Sequence, residues 1–391
     1  MQIKKFIPFG KPSLHEAEFS KVYSVLKSKW IGTGPIVEEF EKNFSNYKKS
    51  NYAISVNSCT AALHLSLISL GLKKGDEVIT TPMTFAATIN SIVLAGCKPV
   101  LVDIRPDTFN INEKIIEKKI TKKTKAILIV HFGGIPCDLT NILKIVKKYK
   151  LKLIEDCAHA IESKFNNKHV GNFGDAGCFS FYANKNITTG EGGMLTCSKK
   201  SIDEKIRILR LHGMSKDAWK RYAPDSVPSG TPYQHYDVKY VGLKYNMIDI
   251  SAAMGIEQLK RIDVMWKKRQ ELVKKYQTAL KDLPLFFQGT KDYKYKNAHH
   301  LFTITIDKKK TSKNRDRLLK FLNDNKIGVG VNYRSVTSMS CYKKLFLWNN
   351  KTTPVSNYVG SNILSLPLYP DLKKSEQNYI IYKVKEFFKS I

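Results

Sequence analysis

The sequence predicts an α/β protein with a large, mostly parallel sheet domain followed by a smaller C-terminal α/β domain. Three observations predict it. Between Tyr52 and Cys197 short apolar runs alternate with helical stretches, the pattern of a parallel sheet covered on both faces. After Gly255 this texture gives way to one long amphipathic stretch and a second, shorter set of elements. The length of 391 residues suits two domains, expected at 1–260 and 261–391, with ample chain to bury a core.

Residues 52–56, Tyr-Ala-Ile-Ser-Val, read as the first strand. A helix is expected over 61–70, with Leu63, Leu67 and Leu70 on one face and Gly71 as its stop. Strands follow at 78–80, 99–103, 126–130, 151–156, 178–181 and 194–197, and helices at 84–95, 112–119 and 139–149 fall between several of them. The stretch from 250 to about 283 places Ala253, Ile256, Leu259, Ile262 and Trp266 at helical spacing. Residues 301–306 alternate as a half-buried strand, and helices are expected over 315–325 and 376–388. No internal repeat or low-complexity linker interrupts the chain.

The 65 Lys plus Arg against 34 Asp plus Glu give a net charge of +31, which raises the question of a nucleic-acid or anionic-membrane partner. The basic pairs and triplets, Lys118-Lys119, Lys122-Lys123, Lys147-Lys148 and Lys308 to Lys310, lie far apart, with no long basic block or aromatic-basic signature beside them. The charge therefore reads as a compositional bias spread over solvated faces, and neither nucleic acid nor membrane is expected as a partner. No apolar run is long enough to span a membrane, the opening segment lacks the apolar stretch of a secretory signal, and a cytoplasmic location is expected. Seven cysteines, an odd number with no CxxC pair, argue against a disulfide framework or a zinc site, and no metal is expected.

Three segments carry chemistry. Residues 179–193 set Lys185 on a loop between two expected strands, ahead of the Gly-rich turn Gly190-Glu191-Gly192-Gly193. A lysine so placed, with its basicity lowered by its surroundings, suits Schiff-base chemistry, although one lysine among many is ordinarily a solvated surface group. Asp156 closes the expected strand Leu153-Ile154-Glu155-Asp156, where parallel sheets place ligands, and a carboxylate there can hold a pyridine nitrogen protonated. His159 follows three residues on; by themselves the two read equally as a strand-end cap and a core histidine. In Ser58-Cys59-Thr60-Ala61 a strand end turns into a helix, which is an anion site or an ordinary N-cap. Together the three imply a phosphate cradle, a pyridinium partner and a Schiff-base lysine.

At this point the chain resembles the DegT/DnrJ/StrS family of pyridoxal-phosphate sugar aminotransferases. The resemblance rests on SCTAALHL, TPMTFAATINSIVLAGCKPVLVDI, LIEDCAHA, FSFYANKNITTGEGGM and GLKYNMIDISAAMGIEQL in that order, and extends from Trp30-Ile31-Gly32-Thr33-Gly34-Pro35 to Leu366-Pro367-Leu368-Tyr369. It implies a type I aminotransferase fold, a homodimer with active sites shared between subunits, and L-glutamate as amino donor. It implies pyridoxal 5'-phosphate as cofactor, passing through pyridoxamine 5'-phosphate. By position, Lys185 is the Schiff-base lysine and proton shuttle, Asp156 the partner of the ring nitrogen and His159 the neighbour of the ring hydroxyl. Phe85 matches the stacking aromatic, while Thr60 and Ser180, with the turn Ser58-Cys59-Thr60-Ala61, match the phosphate contacts. Asn246 is the preferred contact to the neighbouring subunit's phosphate, with Lys244 as the alternative. Thr33, Lys220 and Arg334 are expected on the substrate side, the last two as diphosphate contacts by charge.

Departures from the family pattern also inform. Cys59 stands where many relatives carry Gly, and Asn332 replaces a common His. Lys185 itself argues against the dehydratase branch, where His takes its place. The segment from Leu211 to Tyr222 and the run Ile187 to Met194, with Glu191 where members acting at C3 more often carry Asp, resemble members that aminate the C4 ketone of a nucleotide-linked 6-deoxyhexose or pentose. The alternatives are a C3 keto-sugar or amino-cyclitol aminotransferase, or a non-catalytic pyridoxal-phosphate-binding regulator.

Overall fold

A computed structural model describes residues 5–215 and 236–389. Among the described residues nine strands precede residue 200: β1 Tyr52–Val56, β2 Glu77–Thr80, β3 Lys98–Leu101, β4 Thr124–Val130, β5 Lys152–Asp156, β6 Lys164–Phe165, β7 Lys168–His169, β8 Ala176–Ser180 and β9 Gly193–Cys197. Seven of them form the main sheet, in the order β1-β9-β8-β5-β4-β2-β3. The neighbours from β3 to β8 are all parallel. Strand β9 alone is antiparallel, paired with both β1 and β8, so the sheet is mostly parallel, as the alternating pattern predicts.

Each central strand is apolar on both sides because both faces are covered. Ile79, Ile127, Ile129 and Leu153 enter one core, while their chain neighbours Val78, Ala126, Leu128 and Ile154 enter the core on the opposite face. Helices α1 Glu16–Ser28, α2 Pro35–Lys48, α3 Cys59–Ser69, α4 Ala86–Leu94, α5 Leu139–Tyr149, α6 Lys200–Leu209 and α7 Asp249–Lys260 accompany this sheet. The first two escaped the sequence reading, although Pro35 at the first helical position with Val37, Phe40 and Phe44 behind it signals α2. Its cap comes from far along the chain: Asp249 accepts from the N–H groups of Gly34 at 2.8 Å and Val37 at 3.0 Å. Gly34 is required there, since a Cβ would stand 2.3 Å from Trp30 Nε1 and 2.8 Å from Asp249.

The helix expected over 112–119 is instead two 3₁₀ turns, Glu113–Ile115 and Glu117–Lys119. The Asn112 side chain takes the N–H of Lys114, a local bond that competes with a helical ladder. The single long stretch expected from 250 breaks at Arg261 into α7 and α8 Ile262–Leu280. Arg261 turns there to bond the carbonyl of Ser13 and the carboxylate of Glu18, tying the N-terminal segment to the helix junction.

Beyond α8 come β10 Leu285–Phe287, β11 Tyr295–Lys296, β12 Phe302–Ile306, α9 Arg315–Asp324, α10 Ser340–Phe346, α11 Pro354–Asn362, β13 Ile363–Leu366 and α12 Lys374–Lys389. Strands β10, β12 and β13 form an antiparallel sheet, and β11 joins β6 and β7 in a third. The core on the second sheet gathers Leu272, Tyr276, Ile304, Leu318, Leu364 and Val384, with Ile7 from the start of the chain, whereas Met265 at the head of α8 packs with the main-sheet core. Among the described residues no helix is long and apolar enough to cross a membrane.

Candidate active site

The parallel strands deliver the candidate residues to one end of the main sheet, as open α/β sheets do. Asp156 is the last residue of β5, in register with Val130 of β4 and Cys178 of β8. The chain leaves β1 at Val56 and turns through Ser58 into α3, and Lys185 lies on the loop after β8. A cavity of about 540 Å³ opens between these points, lined by Ser58, Cys59, Thr60, Phe85, Asp156, His159, Ser180 and Lys185. Eight of the residues singled out from sequence thus meet in one place.

Asp156 is buried, and its carboxylate accepts from the Thr88 hydroxyl at 2.8 Å and the Ala158 N–H at 3.1 Å. Burial raises its pKa above the ordinary carboxylate value, with Ala158, Thr88 and Lys185 opposing. Among the described residues no cation lies within ion-pair distance of it. Lys185 is half-buried, and burial lowers its pKa to about 8 against the pull of Cys59 and Asp156. Its Nζ makes no hydrogen bond to any described residue. A lysine near 8 offers a substantial neutral fraction near neutrality, which nucleophilic attack requires.

His159 has an assignable tautomer. Its Nδ1 accepts the backbone N–H of Gly133 at 3.2 Å, so the proton of the neutral ring sits on Nε2, 3.0 Å from the Tyr333 hydroxyl. Burial, reinforced by Lys185, holds the ring well below the usual imidazole range and therefore neutral.

The turn into α3 is shaped by Ser58, whose side chain accepts the Ala61 N–H at 3.1 Å as an N-cap. The N–H groups of Cys59 and Thr60 stand at the start of the helix, where no carbonyl four residues back can take them. Cys59 occupies an ordinary helical position, so the turn needs no glycine there. The glycine is instead Gly193 on β9, where a Cβ would stand 2.5 Å from the Ser58 carbonyl carbon and 2.6 Å from the Cys59 nitrogen. Phe85, a large aromatic left 62% exposed, stands over the cavity with its ring 6.0 Å from that of Tyr333.

Other candidates lie elsewhere. Ala61 gives its N–H to Ser58 and does not line the cavity. Arg334 is exposed beside Tyr333 without reaching the lining, and Lys220 lies outside the described residues. Thr33, Lys244 and Asn246 line a separate cleft of about 350 Å³. There Asn246 donates to the Thr33 hydroxyl at 2.5 Å and accepts from Lys244 Nζ at 2.7 Å, so both ends of its amide are taken.

The sequence reading missed Asn184 and Tyr333 as cavity groups, and Thr88 as the hydroxyl bonded to Asp156. Thr84, just before α4, and Thr88, in its first turn, are bonded to each other at 2.7 Å, a polar pair at the head of an otherwise largely apolar helix. Tyr333 carried no comparable signal, because it reaches the cavity from a loop more than 170 residues away from His159.

Electrostatically the site suits a ligand with an aldehyde, a basic aromatic nitrogen and an anionic tail. A protonated ring nitrogen would supply the countercharge Asp156 lacks, Lys185 the amine for the aldehyde, and the head of α3 the anion site. The buried side-chain oxygens of Asn184 and Asn332, both on the cavity wall, find no hydrogen-bond partner among the described residues. These observations fit pyridoxal phosphate.

Buried neutral histidines set the acid limit of the fold. Burial holds His159 and His300 well below their ordinary value of 6.5, His169 at about 2 and His299 at about 4. The unfolded chain takes up these protons below 6.5 and the native one does not, so each such group removes about 1.4 kcal/mol of stability per pH unit below that point. Glu162, raised by burial to about 7, is protonated earlier in the native state and offsets one histidine between 7 and 4.5. The melting temperature of the cofactor-free protein should fall as pH is taken from 7.5 to 5.5; a flat profile by calorimetry would reject the neutral assignments.

Known proteins share this arrangement over almost the whole chain. The spore coat polysaccharide biosynthesis protein SpsC of Bacillus subtilis is 40% identical over 385 residues, 98% of this chain and 97% of SpsC. The structure of Spr1654 from Streptococcus pneumoniae, described as a sugar aminotransferase and solved in its PMP form, superposes with a TM-score of 0.90 at 31% identity, covering 98% of this chain and 99% of Spr1654. PseC of Helicobacter pylori, an aminotransferase involved in pseudoaminic acid biosynthesis, superposes with a TM-score of 0.89 at 30% identity, over 99% of this chain and 100% of PseC. With the family profile matching residues 12–385, the chain belongs to the DegT/DnrJ/EryC1/StrS aminotransferase family.

Proposed function

We propose that the protein transfers the amino group of L-glutamate to the C4 ketone of a nucleotide-linked 6-deoxy sugar, with pyridoxal phosphate as cofactor. The observation that carries this reading is the meeting, in one cavity at the strand ends, of a lysine of lowered basicity with a buried carboxylate that no described cation meets at ion-pair distance. The sugar substrate is supported by the descriptions of SpsC, Spr1654 and PseC. Glu191, on the cavity wall, supports C4 over C3.

When bound, the cofactor supplies an electron sink that lets a carbon–hydrogen bond beside nitrogen be broken and remade. Lys185 is the attachment amine; once displaced by glutamate it is the base that takes the Cα proton, and later returns a proton to the sugar carbon. Asp156 keeps the ring nitrogen protonated. His159, neutral with Nε2 against the Tyr333 hydroxyl, would stand beside the ring oxygen and would not compete for that proton. Cys59 and Thr60 N–H groups, with Ser180, hold the phosphate, Phe85 covers the ring, and Arg334 and Lys220 take the substrate diphosphate. The test is incubation with glutamate and UDP-, GDP- and dTDP-linked 4-keto sugars, reading product mass and the position of the new amine. An amine at C3, or no amination across the panel, would overturn the assignment.

The enzyme works in the cytoplasm as a homodimer with shared sites. The cleft holding Thr33, Lys244 and Asn246, separate from the cavity on the same chain, supports their service to the partner's site. Asn246→Ala should weaken cofactor retention by removing the group that orients Lys244. Mixing that variant with Lys185→Ala should restore part of the activity, because one site of each heterodimer is then intact. No recovery after verified subunit exchange would count against sharing.

A further inference from the structure

We propose that Asn186 and His300 form a positioning unit behind the cavity, in which Glu162 clamps Asn186 at the root of the Lys185 loop and His300 joins that clamp to the imidazole of His159. The inference rests on the pyridoxal-phosphate reading above and adds residues that neither the sequence nor the cavity lining brings forward.

Asn186 follows Lys185 directly and is buried, with both ends of its side-chain amide bonded. Its Nδ2 donates to Glu162, 2.9 and 2.8 Å from the two carboxylate oxygens, and to the carbonyl of Ala298 at 2.8 Å. These acceptors require the NH₂ end on that side, so Oδ1 faces His300 and accepts from its Nδ1 at 3.0 Å. The His300 proton is thereby assigned to Nδ1. The ring of His300 lies against that of His159, centroids 4.5 Å apart and 33° between planes, and His159 is held at its own two nitrogens by Gly133 and Tyr333. A continuous path of buried hydrogen bonds, completed by one ring contact, thus runs from Glu162 to the group expected beside the cofactor ring.

The unit also bridges distant parts of the chain. Asn186 and Glu162 belong to loops of the main sheet, whereas Ala298 and His300 lie just before β12 of the second sheet. Ala298 further bonds the carbonyl of Gly134, which the Ser163 hydroxyl also binds at 2.6 Å. Glu162 is faced by Asn186, Arg269, Lys296 and Tyr47, and His300 by Lys185, His159 and Arg269. Burial keeps both imidazoles neutral, so the path orients groups through hydrogen bonds and packing instead of charge. A buried polar cluster is a costly way to fill space, and an apolar one of equal volume is commonly as stable. Its placement against the two residues that must be held in register with the cofactor gives it a use.

Two substitutions separate its halves. His300→Phe keeps a ring against His159 but removes the donor to Asn186; it should lower kcat about tenfold with little change in KM, because the Lys185 loop is loosened while substrate contacts remain. His300→Asn keeps a donor in the place of Nδ1 but removes the ring; it should move the pH midpoint of the bound cofactor's visible absorbance band by about one unit through a displaced His159. Should His300→Phe fail to fold, Glu162→Gln, which keeps shape and one acceptor for Asn186, should lower kcat in the same direction. Melting of each cofactor-free variant is measured alongside. Wild-type kcat and midpoint in the variants, or losses that merely track a lower melting temperature, would overturn the proposal. Absence of a visible band in wild-type protein loaded with pyridoxal phosphate would overturn the parent reading as well; a band present in wild type and unmoved in the variants overturns the positioning unit alone.

Discussion

Lys185→Ala is expected to lower transamination roughly 10⁴-fold or more while the chain still folds and pairs. The amine is asked to do two things no neighbour can take over, to attach the cofactor and to carry the proton between its two carbon positions. Asp156 and Glu191 line the same cavity but cannot attack an aldehyde, and His159 is held neutral with Nδ1 occupied by Gly133. The fold should survive because Nζ makes no hydrogen bond among the described residues, and a half-buried cation without such a bond contributes little to packing. Single-turnover assays with glutamate, with melting curves beside them, check both parts. Activity within tenfold of wild type would remove Lys185 from the chemistry, and with it the central assignment.

Asp156→Asn should cost about 10² to 10³ in kcat, the scale of losing one preorganised electrostatic partner. An amide keeps the shape and can still meet the Thr88 hydroxyl, which is free to turn between Asp156 and Thr84. It cannot hold the proton of a pyridine nitrogen, so the electron sink is weakened at the step where a carbanion must be stabilised. Stability should move the other way. Since burial raises the pKa of Asp156 and no described cation pairs with it at ion-pair distance, the cofactor-free Asn variant should melt at the same temperature or higher. A wild-type rate would reject the role; a sharp loss of stability without loss of rate would make Asp156 a structural cap at the end of β5.

Much of the architecture is legible in the chain because the burial of each element leaves a local period. Strands such as Ile127-Leu128-Ile129 are apolar throughout since alternate residues enter opposite cores, and α5 Leu139–Tyr149 shows its stripe at the spacing expected. The 3₁₀ turns at 113–119 and the break at Arg261 were not legible: at the first a bond from the Lys114 N–H to the Asn112 side chain replaces the helical ladder, and at the second Arg261 bonds the distant Ser13 and Glu18.

The same division holds for the candidate site. The sequence by itself determined the groups carried on strand ends and the turns beside them: Asp156, the Ser58 turn and the loop of Lys185 are local features, each readable from a few adjacent residues. Only the tertiary structure decided what surrounds them. That Asn246 donates to Thr33, that Tyr333 meets His159, and that Asn186 is joined to Glu162 and His300 are contacts between segments some 24 to more than 200 residues apart. Spacing along the chain carries no record of such pairings, because a side chain's partner across the fold is set by the packing of whole elements; the protonation of His159, His300 and Lys185 follows from that burial and was settled only when the chain closed around them.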